Sequence, residues 1–219
     1  MDHEKSVLIT VLFFNAGVAM ADDTASWAVW PGTSAAFTQN GSTVNVTYTG
    51  QLNSIDYNAS YFNSVPTSFT SSEVTNTPGS NGAIHMTGGT PDVNTLHFSQ
   101  AVINPLIAVF SVGQGGTPVT FNFLNNPSFV IASQGAGHWG GGLLTQNGNS
   151  VTGLEGNGLL QFNGSYTDIA FTTPVQENFY GFTVGAIANA AVVPEPETYA
   201  MLLAGLGLMG FIARRRKTA

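Results

Sequence analysis

The sequence predicts an all-β fold, a two-sheet antiparallel sandwich of jelly-roll type, with an N-terminal signal peptide and one short C-terminal transmembrane helix. Alternation of apolar and polar residues recurs along the middle of the chain, where no amphipathic helical spacing lasts longer than two turns. Turn signals such as Asn40-Gly41 and Asn147-Gly148 separate the short apolar runs. Short strands without a βαβ rhythm leave a sandwich or a barrel, and we favour the sandwich.

Residues 1–21 have the features of a signal peptide. Val7 to Phe14 is a short apolar run, and Ala19-Met20-Ala21 supplies the small-x-small pattern of a signal-peptidase site. Acidic residues before Lys5 offset its charge, which departs from the usual basic start of such peptides. We expect signal peptidase to cleave after Ala21 and the chain to be exported.

Residues 22–186 form the predicted β-sandwich body. Three of its segments alternate strictly, which predicts strands with one apolar face. The run from Pro105 to Val112 is apolar on both faces and predicts a central strand. The alternating apolar sets are Val44, Val46 and Tyr48; Val119, Phe121 and Phe123; and Tyr180, Phe182 and Val184.

Two tight hairpins are predicted late in the body. Asn147-Gly148 joins one pair of short strands, and the stretch from Glu155 to Gly158 joins the next pair. Together they predict a meander that continues into strands around Phe162 and Ile169. Residues 187–193, which are Ala-rich and lack a pattern, are predicted to be a linker.

Basic residues are confined to the two ends of the chain, which has a formal net charge of −7. The five basic residues are Lys5 and the four that follow residue 213, so the body has neither Lys nor Arg. An acidic body repels nucleic acid and anionic lipid, which excludes those partners. Cysteine is absent, which excludes disulfides, thiolate metal sites and thiol catalysis. The acids of the body are Asp22, Asp23, Asp56, Glu73, Asp92, Glu155, Asp168 and Glu177.

Residues 194–219 combine three features in order: a Pro-Glu-Pro motif, an apolar segment from Tyr199 to Ala213, and a basic cluster. The prolines disfavour helix, so the motif is predicted to be an exposed extended handle. The apolar segment spans about 22 Å against a hydrocarbon core of roughly 30 Å, which favours a transient or processed membrane anchor. The basic cluster stays in the cytoplasm and leaves the body outside. The motif is Pro194, Glu195 and Pro196, and the membrane stop is Arg214, Arg215, Arg216 and Lys217.

This tail resembles the PEP-CTERM sorting signal, the substrate tag of bacterial exosortases. The resemblance implies that an exosortase recognises the Pro-Glu-Pro handle and removes the helix, leaving the protein at the cell surface or secreted. The same tail module is also labelled the C-terminal domain of ice-binding proteins, which concerns delivery rather than activity. Body segments such as Gly137 to Gly141 and Glu177 to Phe182 look like a pattern repeated among PEP-CTERM proteins. The alternative is an ordinary C-terminal membrane anchor.

The loop from Gly135 to Gly142 is the best candidate ligand surface, because it combines flexible backbone with His138 and Trp139. Trp139 could stack on a sugar ring, with Tyr180 nearby if the sheets bring the loops together. The alternative is that Trp139 caps the end of the sandwich core while the glycines turn the chain.

No catalytic residue and no metal site is predicted. The body histidines, His85, His97 and His138, lack the spacing of zinc ligands. A carboxylate pair for glycoside hydrolysis could be drawn from Glu155 with Asp168 or Glu177, but acids on a small domain pair by chance. Calcium is the only ion left open, at a loop with Asp92, Glu155 or Asp168, although no Asp-x-Asp-x-Asp loop is present.

The leading functional hypothesis is a non-enzymatic exported protein, sorted by exosortase, with a structural or adhesive role among exopolysaccharide. Low charge density and faces rich in Asn, Thr and Ser suit contact with hydrated glycans. The alternative is a carbohydrate-binding module with a site around Trp139, assisted by calcium. A hydrolase is the third hypothesis.

Overall fold

The computed structural model describes residues 22–190, together with residues 205, 206 and 209. The predicted signal peptide, the Pro-Glu-Pro motif and the basic cluster lie outside the described residues. Gly205, Leu206 and Met209 are helical. Within the described part of the chain, no helix has the length and apolar character that crossing a membrane requires.

The regular secondary structure of the body is β-strand apart from two short 3-10 helices, and loops and turns join these elements. In chain order these elements are β1 (Asp22–Trp27), β2 (Ser34–Gln39), β3 (Ser42–Thr49), β4 (Ser54–Asp56), η1 (Tyr61–Asn63), η2 (Pro66–Ser68), β5 (Ala83–Met86), β6 (Asn94–Ile103), β7 (Pro105–Val112), β8 (Val119–Phe123), β9 (Phe129–Gly135), β10 (Leu144–Asn147), β11 (Ser150–Gly153), β12 (Gly156–Phe162), β13 (Ser165–Thr172) and β14 (Tyr180–Asn189).

The strands form two sheets of seven strands each. Sheet A has the order β4-β5-β14-β7-β12-β9, and β1 pairs with the second half of β14. Sheet B has the order β10-β11-β8-β13-β6-β3-β2. The pairings between these strands are antiparallel. The predicted all-β, two-sheet antiparallel architecture is confirmed, and the jelly-roll connectivity stays a prediction.

An inner core fills the space between the two sheets. In β3 the residues Val44, Val46 and Tyr48 are buried while their neighbours are exposed, as the alternation predicts. Rings meet across the core: the centroid of Phe121 in sheet B lies 5.7 Å from that of Tyr180 in sheet A. This packing follows from the period-two pattern, which places every second side chain on the same face.

An outer core covers the opposite face of sheet A. Phe62 and Phe69, which lie in or beside the 3-10 helices, pack on this face, and the ring of Phe62 is 5.6 Å from that of Phe110 in β7. Every residue of β7 is therefore buried, which confirms the predicted central strand. Strand β14 is also buried on both faces over most of its length, whereas its alternation predicted a single apolar face.

The hairpin around Gly148 is confirmed, but the meander predicted after it is wrong. Strand β11 belongs to sheet B and β12 to sheet A, so the chain crosses between the sheets at Leu154 and Glu155. Asn157 does not form a turn. It is fully buried within β12, where its Oδ1 accepts a hydrogen bond from the Ser111 backbone N–H at 2.9 Å. The hairpin turn predicted from Glu155 to Gly158 is wrong because this long-range hydrogen bond leaves no signal in the local sequence.

The last strand extends beyond residue 186, where the body was predicted to end. Strand β14 extends to Asn189, which pairs with Asp22 in β1, and it therefore includes the first residues of the predicted linker. Backbone pairing with β1 holds this Ala-rich stretch extended, although its side chains lack a strand pattern.

Gly181 is a test of the close packing around β14. A Cβ atom at this position would lie 2.1 Å from the Ile84 carbonyl oxygen and 2.6 Å from Cζ of Phe110. We expect Gly181→Ala to lower the free energy of unfolding by about 2 or 3 kcal/mol, because overpacking forces the backbone to shift. Urea denaturation of the full-length chain measures this. Gly115→Ala is the control, since its Cβ would meet nothing within 4 Å. Equal stability of the two variants would contradict the packing described.

Candidate functional site

Trp139 lies in the loop between β9 and β10 and is half-buried. The centroid of its ring is 4.5 Å from that of Tyr61 and 4.7 Å from that of Phe179. Aromatic pairs at such separations contribute about 0.5 to 1.5 kcal/mol beyond the area they bury. The indole is therefore held in place at the edge of the outer core, not at the end of the inner core that the capping interpretation predicted, and part of it borders a cleft.

The loop that carries Trp139 packs closely on the turn that carries Glu155. Gly140 has a φ of +69°, and a Cβ atom on it would lie 2.3 Å from the Cβ of Glu155. The Gly137 backbone N–H donates to the Gly140 carbonyl at 3.0 Å, which closes the loop on itself. A side chain at residue 140 would push the loop away, so glycine here sets the distance between Trp139 and Glu155.

An open cleft of about 340 Å³ lies where this loop, the end of β7 and the start of β14 meet. Aromatic rings line part of it, and carboxyl, hydroxyl and amide groups line the remainder. Such a mixture of apolar wall and convergent polar groups is typical of ligand sites. The lining residues are Ser111, Gln114, Trp139, Glu155, Glu177, Asn178 and Phe179.

Glu177 is the most unusual group of the cleft. It is only 3% exposed, and its Oε1 has no hydrogen-bond partner among the described residues. Burial, together with the nearby charge of Glu155, raises the pKa of this carboxyl group to about 8. Burying a carboxylate without a partner is costly, so the group holds a proton at neutral pH when nothing else neutralises it.

Glu155 lies at the turn where the chain crosses between the sheets, and it has a φ of +60°. Ser111, at the end of β7, has a φ of +51°, and its Oγ donates to Oε2 of Glu155 at 3.3 Å. Left-handed backbone costs non-glycine residues of order 1 kcal/mol or more, and such residues cluster at functional sites. The two strained residues aim their side chains at one another across the mouth of the cleft.

Of the three predicted ligand-binding residues, the structure brings two together. His138 is exposed, and its ring centroid is 4.5 Å from that of Trp139. Tyr180 is fully buried in the inner core, so the prediction that it lies at the surface beside Trp139 is wrong. The aromatic ring that does stand beside Trp139 belongs to Phe179, one residue earlier. Successive residues of a strand point to opposite faces, and the local sequence does not say which face is covered.

The sequence suggested two carboxylate pairs, Glu155 with Glu177 and Glu155 with Asp168, and the structure brings only the first pair into one cleft. Glu155 and Glu177 line the same cleft. Asp168 lies elsewhere, in β13, where its Oδ1 is 2.7 Å from Nδ1 of His97. The hydrogen bond from His97 lowers the pKa of Asp168. Among the described residues, no group of three or more acidic and histidine side chains is arranged to hold a metal ion.

Sequence reasoning missed the polar lining of the cleft. Gln114 and Asn178 lie on different segments, and Asn178 Nδ2 donates to Gln114 Oε1 at 2.8 Å. Gln114 belongs to no motif, so no signal in the local sequence pairs it with Asn178. The stretch beginning at Glu177 did stand out as a repeated family pattern, and that was the one available indication.

A buried histidine lies beneath the aromatic wall. His85 is 5% exposed, its ring is 4.3 Å from that of Phe179, and its Nε2 is 3.3 Å from Oη of Tyr61. The Tyr61 hydroxyl also hydrogen-bonds Asp56. Burial lowers the pKa of His85, and the charge of Asp56 opposes that effect. Protonation of His85 would therefore place a charge inside the outer core.

We expect His85 to make the fold less stable in acid. Its pKa in the folded state is below that in the unfolded state, so the unfolded chain binds more protons as the pH falls below about 6.5. The free energy of unfolding is therefore unaffected by His85 above that pH. Below it, the free energy of unfolding falls by no more than about 1.4 kcal/mol per pH unit. Urea denaturation at pH 7.5 and pH 5 should show a smaller loss in His85→Gln than in the wild type. His138→Gln, at an exposed position, should keep the wild-type difference. Identical pH dependence in all three chains would refute this role.

Comparison with known protein families identifies one segment of the chain. Residues 192–217 match the family model of the PEP-CTERM protein-sorting motif. This segment contains the Pro-Glu-Pro motif and the basic cluster that the sequence analysis singled out. No curated protein and no solved structure shows a significant match to the chain. The chain therefore carries a PEP-CTERM protein-sorting motif, which implies an exported protein with an exosortase as its processing partner.

Proposed function

We propose that this exported protein binds neutral glycans at the cell surface or in the extracellular matrix, with an adhesive role among exopolysaccharide. The observation that carries the proposal is the cleft, where Trp139 and Phe179 stand beside hydroxyl, amide and carboxyl groups. The proposal combines the adhesive hypothesis with the carbohydrate-binding alternative, since an adhesive domain needs a surface that holds its glycan.

The chemistry of the cleft matches the two sides of a sugar ring. A pyranose offers apolar C–H groups on its face and hydroxyl groups around its edge. Trp139 can stack on the apolar face, and its ring is already fixed by Tyr61 and Phe179, so little side-chain freedom is lost on binding. Gln114 and Asn178 can hydrogen-bond the hydroxyl groups.

Charge selects among glycans. The body has no Lys and no Arg, and Glu155 and Glu177 line the cleft itself. Uronate or sulfate groups would be repelled by these acids and would find no basic residue of the body to pair with. Neutral polysaccharides are therefore the proposed ligands.

Delivery depends on the C-terminal tail rather than on the body. We propose that the apolar segment from Tyr199 to Ala213 holds the chain in the inner membrane until exosortase acts on the Pro-Glu-Pro motif. The short length of the segment and the basic residues after it support a transient anchor with the body outside.

Trp139→Ala should weaken binding of neutral polysaccharide at least tenfold, because a stacking contact contributes roughly 1.4 kcal/mol or more. Affinity electrophoresis or calorimetry with neutral and uronate-containing polymers measures this, and only the neutral ones should bind. Tyr166→Ala is the matched control, a half-buried aromatic residue whose ring packs on Phe162 instead.

Two outcomes would change the proposal. Unaltered binding by Trp139→Ala would remove the cleft from the glycan site. Release of new reducing ends by the wild type, and not by Glu177→Gln, would instead make the protein a glycoside hydrolase that uses Glu177 as its acid. The shared position of Glu155 and Glu177 favours this second candidate, whereas the distant Asp168 plays no part in it.

The sorting route predicts the C-terminus of the mature protein. Mass spectrometry of the protein recovered from the outer surface should find no peptide beyond about residue 196. Pro194→Ala combined with Pro196→Ala should leave the chain in the inner membrane with its C-terminus intact. Recovery of an intact Arg214 to Lys217 end from the outer surface would contradict the route.

A further inference from the structure

We propose that the cleft is a binding site for a divalent cation of the calcium type, held between the carboxylates of Glu155 and Glu177. The inference is independent of glycan binding, since a cation can occupy these oxygens whether or not a sugar lies on Trp139. It rests on three observations: an unpaired buried carboxyl oxygen, the lack of basic side chains in the body, and the oxygen-rich lining of the cleft.

The first observation is the state of Glu177. Buried polar atoms in proteins nearly always have a partner, and each exception needs an explanation. Among the described residues only two buried side-chain polar atoms lack one, Oε1 of Glu177 and Oη of Tyr180. Tyr180 belongs to the inner core, whereas Glu177 lines an open cleft that a solvent ion can enter. The unpaired oxygen is itself buried, so a ligand from solution would reach it once the side chain turns toward the cleft that Glu177 lines.

The second observation is the charge balance of the body. Two ionised carboxylates in one cleft repel one another unless a positive charge lies between them or one of them takes up a proton. The body has no Lys and no Arg to supply that charge. In the described part of the chain the one ion pair joins His97 to Asp168, on the outer side of sheet B. A cation for Glu155 and Glu177 must come from outside the chain.

The third observation concerns the kind of cation. Hydroxyl and amide oxygens accompany the carboxylates: Ser111 Oγ lies 3.3 Å from Glu155 Oε2, and the amides of Gln114 and Asn178 are joined at the rim. Oxygen ligands in a mixed, adaptable arrangement suit calcium, which takes six to eight of them and accepts water for the remainder. Magnesium prefers a strict octahedron, and zinc prefers nitrogen and sulfur.

The backbone holds this arrangement before any ion arrives. Ser111 and Glu155 both have left-handed backbone, and the turn that carries Glu155 is pinned by its N–H, which donates to the Gly113 carbonyl at 3.0 Å. Asn157 Nδ2 donates to the Glu155 carbonyl at 3.0 Å. A site with two carboxylates is expected to bind calcium with a dissociation constant of roughly 10⁻⁴ to 10⁻³ M, the range of extracellular modules.

Terbium luminescence tests the proposal, because terbium replaces calcium and is excited through a nearby indole. The full-length chain should give saturable emission on excitation of tryptophan, and millimolar calcium should displace the terbium while equal magnesium does not. Glu177→Gln and Glu155→Gln should each weaken terbium binding at least tenfold. Asp168→Asn is the matched control, an acid outside the cleft, and should bind as the wild type does.

Two further measurements keep the result clear if a variant folds poorly. Calcium should raise the melting temperature of the wild type and of Asp168→Asn, and leave that of Glu177→Gln unchanged. Trp139→Phe should lose most of the sensitised emission while keeping the thermal shift with calcium, which places the ion in this cleft. Absence of terbium binding, or equal binding by Glu177→Gln, would overturn the proposal.

The outcome for the cation is separable from the outcome for the glycan. Terbium binding without any polysaccharide binding would uphold the cation site and remove the proposed function. Polysaccharide binding by a chain that binds no terbium and gives no thermal shift with calcium would uphold the proposed function and remove the cation site.

Discussion

The structure depends on sheet A being buried on both faces. Strand β7 lies at its centre, with Ile107 and Val109 in the inner core and Leu106 and Phe110 in the outer core. A chain without cysteine has no disulfide to stabilise it, so burial of apolar surface must supply most of the stability. The segment with the two 3-10 helices covers the outer face of sheet A and supplies Phe62 and Phe69 to a second core. The two sheets alone would not form this core.

The same outer core creates the candidate site at its edge. Trp139 and Phe179 finish the aromatic cover, and beyond them the chain crosses between the sheets at Glu155. The crossing exposes hydroxyl, amide and carboxyl groups beside fixed rings. Glu177 is buried there without a basic residue in the body to pair with it, so its carboxyl group either keeps a proton or takes a cation from solution. Either state provides a polar group that can meet a sugar hydroxyl.

Delivery and the proposed ligand binding belong to different parts of the chain, which have opposite charge. The sorting motif lies at residues 192–217 and contains four of the five basic residues. The body between the two ends has acids only. Removal of the tail would leave an exported domain that repels anionic surfaces and attracts cations. The proposed ligands are inferred from the acidic charge of the body and the lining of the cleft. The tail determines only the location to which the body is delivered.

The sequence by itself determined the all-β class, the central strand from Pro105 to Val112, the alternation in β3 and the sorting motif. These depend on residues close together in the chain, whose periodicity and order can be read directly. Only the tertiary structure decided that β11 and β12 belong to different sheets, that Phe179 rather than Tyr180 lies beside Trp139, and that Glu155 and Glu177 line one cleft. Each of these depends on which distant segment covers a strand face. That choice is made by long-range packing, such as the cover on sheet A and the hydrogen bond from Ser111 to Asn157, and it leaves no local pattern in the sequence.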